Sequence, residues 1–241
     1  MTQEQAHHPS GPLILAVTLA IAAGFIDAHI YLYVTPVFVA NMSGNLIHFG
    51  IFFGLGRWSE AGGGLAAIGA FVCGVAAATV HHDRQILRGR DVQPGFLLIV
   101  EACLVLLLPL MVVGLDVHFT AHPIPVDYPI ILAASFAMGL QASALRRVGA
   151  VAVATTYGTG AIVRVGEKLV LAVRRADRTT GHRRRNTIGV LLAVLLGYVG
   201  GAMLAARCGP NPMLLLIGGL LLVLAAIAER WPAPSHDAPP T

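Results

Sequence analysis

The chain of 241 residues is 56% hydrophobic and only 12% charged, with a mean hydropathy of +0.75; a soluble domain carries about a quarter charged residues. This is the composition of a polytopic membrane protein, and it leaves no room for a sizeable soluble domain. The net charge of +4 comes from arginines in loops beside apolar blocks, where they orient spans by the positive-inside effect, so the bilayer and not nucleic acid is the expected partner.

Residues 1–12 form an N-terminal tail without Lys or Arg, so it lacks the basic region of a signal peptide. The apolar run that follows is too long for a signal core and carries Asp27, which makes it a retained first span. Apolar blocks cover roughly 13–34, 37–55, 62–80, 95–115, 127–145, 149–172, 188–206 and 211–229. Between them lie Arg57-Trp58-Ser59-Glu60, the stretch from His81 to Pro94, the stretch from Asp116 to Val126, Arg146-Arg147, the stretch from Arg174 to Asn186, and the stretch from Arg207 to Pro210. The proline-rich end, 231–241, is expected to be a disordered tail. Cys73, Cys103 and Cys208 are far apart and lack C-x-x-C spacing, so neither a disulfide framework nor a metal site is expected.

The charges discriminate between topologies. If all eight blocks cross, Arg84, Arg88 and Arg90 fall opposite the six arginines between 174 and 185, against the positive-inside rule. If blocks 37–55 and 149–172 enter and leave on one face, loops 81–94 and 174–186 and the pair Arg146-Arg147 share the cytoplasmic side. The expected fold is therefore all-α, with six transmembrane helices plus two re-entrant or broken segments; eight full spans is the alternative. Each half, 13–115 and 127–230, then holds an odd number of crossings, which makes the two halves an inverted internal repeat. Both termini are expected in the cytoplasm. Broken helices that meet near the midplane recur in transporters, because non-helical backbone at membrane depth is tolerated only under protein or beside a water-filled cavity.

The stretch Val37-Phe38-Val39-Ala40-Asn41-Met42-Ser43-Gly44-Asn45-Leu46-Ile47-His48-Phe49-Gly50 is apolar, yet it carries two amides, a hydroxyl and two glycines. A weaker echo, Val153-Ala154-Thr155-Thr156-Tyr157-Gly158-Thr159-Gly160-Ala161-Ile162, stands in the second half. Gly24-x-x-Asp27-Ala28 precedes the first as Gly139-x-Gln141-Ala142 precedes the second. These motifs together resemble the YoaK-type family of bacterial inner-membrane proteins, from about residue 13 to 229. The resemblance implies about six spans in the inner membrane and a suspected role in small-molecule transport, without a mechanism. Tyr157-Gly158 departs from the family pattern, where aliphatic residues are expected.

Asn41 and Asn45 stand four apart, so on a helix they share a face, and their amides can replace part of a solute's hydration. Gly44 lets backbone come close, and Ser43 can satisfy freed backbone groups. The blander alternative is hydrogen-bonding glue between helices, worth about 0.6–2 kcal/mol per contact. Thr155, Thr156, Thr159 and Gly160 are the counterparts in the second half, with Gln141 one segment earlier. Asp27 lies about 10 Å below the end of its block at 1.5 Å per residue. An acid at that depth needs a cavity or a partner, so Asp27 either titrates, binds a cation or forms a structural pair. His48 can titrate near neutral pH, and together with Asp27 it is the candidate for proton coupling. Glu101 is read as reaching toward the cytoplasmic interface, and His81-His82-Asp83 as opening a solvated loop. His118 and His122 with Asp116 and Asp127 are a weaker outer cluster. The pairs Gly50-x-x-x-Gly54 and Gly197-x-x-x-Gly201 suit either internal packing or a homo-oligomer.

No H-E-x-x-H or G-x-S-x-G motif is present, so no catalytic residue, metal or cofactor is assigned. The sequence thus points to a transporter or channel for an unidentified small solute, with a non-transporting scaffold or sensor as the main alternative and a membrane-embedded enzyme behind it.

Overall fold

The computed structural model describes residues 10–90, 94–146, 162–163, 166–167, 178–209 and 212–228, and the described residues contain helices and no strands. The helices are α1 (Ser10–Tyr33), α2 (Met42–Gly54), α3 (Trp58–Leu87), α4 (Gly95–Gly114), α5 (Tyr128–Arg146), α6 (Arg178–Cys208) and α7 (Pro212–Ala228). Among the described residues, four segments are long and apolar enough to cross a membrane: Leu13–Tyr33, Trp58–Leu87, Gly95–Gly114 and Ile188–Cys208. Tyr128–Ala144 and Leu214–Ala228 are shorter apolar helices.

The helix α1 is the centre of the bundle, with 67% of its apolar window buried against 22% for that of α6. It packs along α6 and touches α5 and α7; α3 packs on α5, α4 lies between α5 and α7, and α2 leans on α3. Glycines set the two closest crossings. A Cβ added at Gly24 would sit on the Tyr198 carbonyl, and one at Gly201 on the Ile21 carbonyl, so α1 and α6 meet backbone to backbone. At the second crossing Gly74 faces the Phe136 carbonyl and Gly139 the Phe71 carbonyl, joining α3 to α5. Between apolar helices in lipid, such small-residue contacts let dispersion and dipole interactions act at short range where solvent exclusion supplies little. The Gly197-x-x-x-Gly201 pair is therefore spent inside the molecule, whereas Gly50 and Gly54 face open space.

The block 37–55 does not form one continuous helix. The helix α1 ends where Val34 N and Thr35 N both donate to Ile30 O, and Pro36 has no N–H with which to carry it on. The chain then runs non-helical, with bends at Pro36 and at Val39-Ala40, to Asn41, where α2 begins. Both ends of this excursion meet the same loop. Thr120 N donates to Val34 O at 3.0 Å, and Ser59 Oγ, in the first turn of α3, donates to Pro123 O at 2.5 Å. The end of α1 and the start of α3 thus lie on one side of the bundle, beside residues 115–127. Asn45 O stands 3.1 Å from the Cβ position of Gly64, so the start of α2 is well inside the bundle and its end returns to the rim. Asp127, buried at that rim, accepts from Thr120 Oγ1 at 2.8 Å and from Ile124 N at 3.0 Å.

Two expectations change at the other end of the bundle. His81-His82-Asp83 does not open a solvated loop: the three residues lie in the last turns of α3, where His82 is buried and His81 stacks on Phe96 of α4. Glu101 is fully buried and does not reach an interface. At His81-His82-Asp83 the helix carries its inward face through a polar run, and at Glu101 the acid stands on the buried face of α4.

Candidate functional site

Non-helical backbone inside an apolar bundle leaves N–H and C=O groups that must find partners. Three side chains of the Gly24-x-x-Asp27 and Asn41-x-x-x-Asn45 patterns provide them. Asp27 Oδ1 accepts from Val39 N at 2.5 Å and from Ala40 N at 2.8 Å. Asn45 clasps the Phe38 backbone on both sides of its Cα: Phe38 N donates to Asn45 Oδ1 at 3.0 Å and Asn45 Nδ2 donates to Phe38 O at 2.5 Å. Asn41 is the N-cap of α2, its Oδ1 accepting from Gly44 N at 3.2 Å and from Ser43 Oγ at 2.8 Å. Asx caps favour helix starts because the side-chain oxygen takes up an orphan N–H.

Asn41 and Asn45 accordingly do not share a helix face. Asn41 precedes the first helical residue, and Asn45 points back to the non-helical segment. Gly44 has a steric reason: a Cβ there would lie 2.8 Å from the Phe38 ring and 3.0 Å from Asn41 Nδ2. Its absence lets Phe38 lie on the first turn of α2. Phe38 also stacks between Tyr31 (4.7 Å) and His48 (5.9 Å), and His48 leans on Phe52 at 5.7 Å. His48 is thus one ring in an aromatic row. Asn45 is fully buried, whereas Asn41 is half-buried and Ser43 exposed, so the first turn of α2 is the open part of the motif.

The second oxygen of Asp27 accepts from Tyr198 Oη at 2.5 Å. This contact joins the broken segment to α6, and the sequence reading had passed Tyr198 over. Its signal was there in the small-residue pair Gly197-x-x-x-Gly201, which marks a helix face packed too closely for a polar tip to stand there without a partner. Gln141 of α5 donates from Nε2 to Leu19 O of α1 at 2.8 Å, so it also ties the halves together. Thr155, Thr156, Thr159 and Gly160 lie outside the described residues, as does Tyr157-Gly158. At the rim His118 approaches Asp116 at 3.4 Å, both strongly exposed, and among the described residues no group of three or more His, Cys, Asp or Glu is placed to hold a metal ion.

The UPF0700 transmembrane protein YoaK of Bacillus subtilis (strain 168) is 28% identical over 203 residues, 80% of this chain and 82% of that one. No solved structure matches the chain. A buried acid above an Asn-capped broken helix, in a bundle of apolar helices, is thus found in a chain whose relative is a transmembrane protein. Residues 15–227 match the family described as "Protein of unknown function (DUF1275)", and the chain is a multi-pass membrane protein of that family.

Proposed function

We propose that the protein moves a small solute across the bacterial inner membrane, through a site built on the first turn of α2. The observation that carries this reading is the non-helical segment Val37–Asn41, held inside the bundle by Asp27. Evolution has little reason to unwind backbone there, and to supply three polar side chains for it, unless the opening serves a ligand or a moving segment. In this reading Asn41, Ser43 and Gly44 present the solute-binding surface. Asp27 and Asn45 hold its shape and Gln141 braces the halves. Thr155, Thr156, Thr159 and Gly160 are the residues of the second half that this reading adds to the solute pathway.

The two glycine crossings support an inverted repeat. Adding 115 to Ile21 and Gly24 gives Phe136 and Gly139, and adding 127 to Phe71 and Gly74 gives Tyr198 and Gly201. The contact of α1 with α6 then has its counterpart in that of α5 with α3. On this layout α2 and block 149–172 are re-entrant, six helices cross, and the arginine-rich loops and both termini lie in the cytoplasm.

Purified protein in liposomes tests the proposal with a panel of small polar and ionic solutes. Flux that falls at least tenfold in Asn41→Ala and Ser43→Ala, with folding retained, is expected. A folded wild-type protein that moves none of the panel overturns it. That result would favour a non-transporting scaffold or sensor, a reading to which the complete use of Asp27 and Asn45 by backbone already lends weight.

A further inference from the structure

Asp27 is met by three donors; Glu101, the other fully buried acid of the central helices, is met by none. It is 0% exposed, and neither carboxyl oxygen has a hydrogen-bond partner. Leu106 of α4 packs on Gly218 of α7. Five residues earlier, at 3.6 residues per turn, Glu101 is rotated from it by about 140°, away from α7. Since it is also away from the surface, it is directed to the interior beside α5. It belongs there to the inward stripe Leu98, Glu101, Ala102, Val105 and Leu108.

The same level of the bundle holds a second unsatisfied oxygen. The helices α4 and α5 run in opposite directions from the loop 115–127, and they pack on each other. Glu101 is 13 residues from Gly114, and Gln141 is 13 residues from Tyr128, so both stand about 20 Å from that end. Gln141 is 0% exposed; its Nε2 is committed to Leu19 O of α1, which leaves Oε1 buried without a partner. A carboxyl and an amide carbonyl are thus buried at one depth with only acceptor atoms left over. Acceptors buried at one level without donors lack what a cation supplies, and a buried carboxylate left alone is far too costly to persist.

We infer that Glu101 and Gln141 form a binding site for one exchangeable monovalent cation, a proton or an alkali ion, on the side of the bundle away from the Asn41 opening. The neighbouring helices bring few competing charges. The helix α7 has no ionisable residue, α5 has Tyr128 and Arg146 only at its two ends, and α1 offers Asp27 two turns beyond Leu19. His81 and His82 of α3, six and five residues before the end of its helix, are the titratable groups at a comparable depth, His82 fully buried and His81 stacked on Phe96 of α4.

The test uses purified full-length protein and its Glu101→Gln variant, which keeps the shape of the side chain. Infrared spectra in H2O and D2O, taken over a pH series, read the carbonyl stretch of a protonated carboxyl. Melting curves in sodium, potassium and choline chloride at equal ionic strength read alkali-ion binding. A D2O-sensitive carboxyl band that titrates in the wild type and is missing from Glu101→Gln identifies a proton. A saturable rise in Tm of about 3 °C with sodium or potassium over choline, absent from the variant, identifies an alkali ion. Should Glu101→Gln fail to fold, Gln141→Leu takes its place: loss of Oε1 is expected to shift the carboxyl band or to weaken the ion's half-saturation about tenfold. The inference is overturned if the wild type shows neither a titrating carboxyl band nor an ion-specific Tm, or if both persist unchanged in the variants. Neither readout needs solute movement, so a positive result without flux would sink the transport proposal and leave this site standing.

Discussion

Tyr198 Oη donates to Asp27 Oδ2 at 2.5 Å across a sequence separation of 171 residues. The other oxygen of that carboxylate holds Val39 and Ala40, so one side chain fixes the non-helical segment and ties it to α6. Close by, Gly24 rests on the backbone of Tyr198 itself. The polar contact and the close helix approach therefore depend on each other: a larger residue at 24 would push the hydroxyl away from the acid.

Tyr198→Phe removes the hydroxyl and leaves Asp27 Oδ2 buried without its donor. A hydrogen bond to a charged group contributes about 1.5–3 kcal/mol, so a fall in Tm of roughly 4–10 °C is expected. Tyr33→Phe is the control on the same helix pair. Its hydroxyl donates to Ala205 O at a longer 3.2 Å, with part exposure, and its loss is expected to cost about 1 kcal/mol or less. Equal effects from the two changes would show that Asp27 does not depend on Tyr198.

The three polar side chains of the broken segment predict an order of tolerance. Asn41→Ser keeps an oxygen at the N-cap and is expected to be nearly silent, while Asn41→Ala costs about 1 kcal/mol. Asn45→Asp is expected to be worse than Asn45→Ala, because it sets a carboxylate oxygen against the Phe38 carbonyl that Asn45 Nδ2 now serves. Thermal stability in detergent for the four variants reads this order. If Asn45→Asp proves as stable as the wild type, the clasp on Phe38 is not what holds the segment.

Much of this was legible in the residues. Apolar blocks located the described helices, though α3 runs on to Leu87 and α6 starts at Arg178, through polar residues that the blocks left out, and the mixture of amide, hydroxyl and glycine from Asn41 to Asn45 marked the place where the helix breaks. What the spacing could not give was the direction of each side chain. Asn41 and Asn45 at i and i+4 suggest one shared face, but that rule holds only within a helix, and the helix starts at Met42. Periodicity is equally silent about Tyr198 and Glu101, because an isolated polar atom on an apolar helix gains its meaning from a partner far away in sequence, or from the lack of one.

The glycines divide into two classes that alanine separates. Gly24, Gly74, Gly139 and Gly201 each face backbone of a neighbouring helix, so alanine there must push two helices apart. The expected cost is about 1–3 kcal/mol each, the range for overpacking. Gly50 and Gly54 lie inside α2 with nothing near their Cβ positions, and alanine is expected to stabilise them by about 0.5–1 kcal/mol through helix propensity. Destabilisation at Gly50 and Gly54 would instead place a packing partner on that face of α2, and a shift in oligomeric state in the same variants would identify it as a second copy.

The layout of six crossings is tested by two single cysteines in a version lacking Cys73, Cys103 and Cys208. Ser59 is the obvious outer reporter from sequence, but its hydroxyl is bound to Pro123 O. His118 is the better one, with a side chain 82% exposed on the same rim. Thr179, at the start of α6, reports the other side. If block 149–172 returns to the face it entered, one crossing, α5, separates the rim at 118 from residue 179, and the two reporters lie on opposite sides. A membrane-impermeant thiol reagent is then expected to label His118→Cys in intact cells and Thr179→Cys only after lysis. If both blocks cross, an even number of crossings separates the two positions and they label together. For the first block the backbone itself argues for return, since Val34 and Ser59, at its two ends, both bond to the loop that holds Thr120 and Pro123.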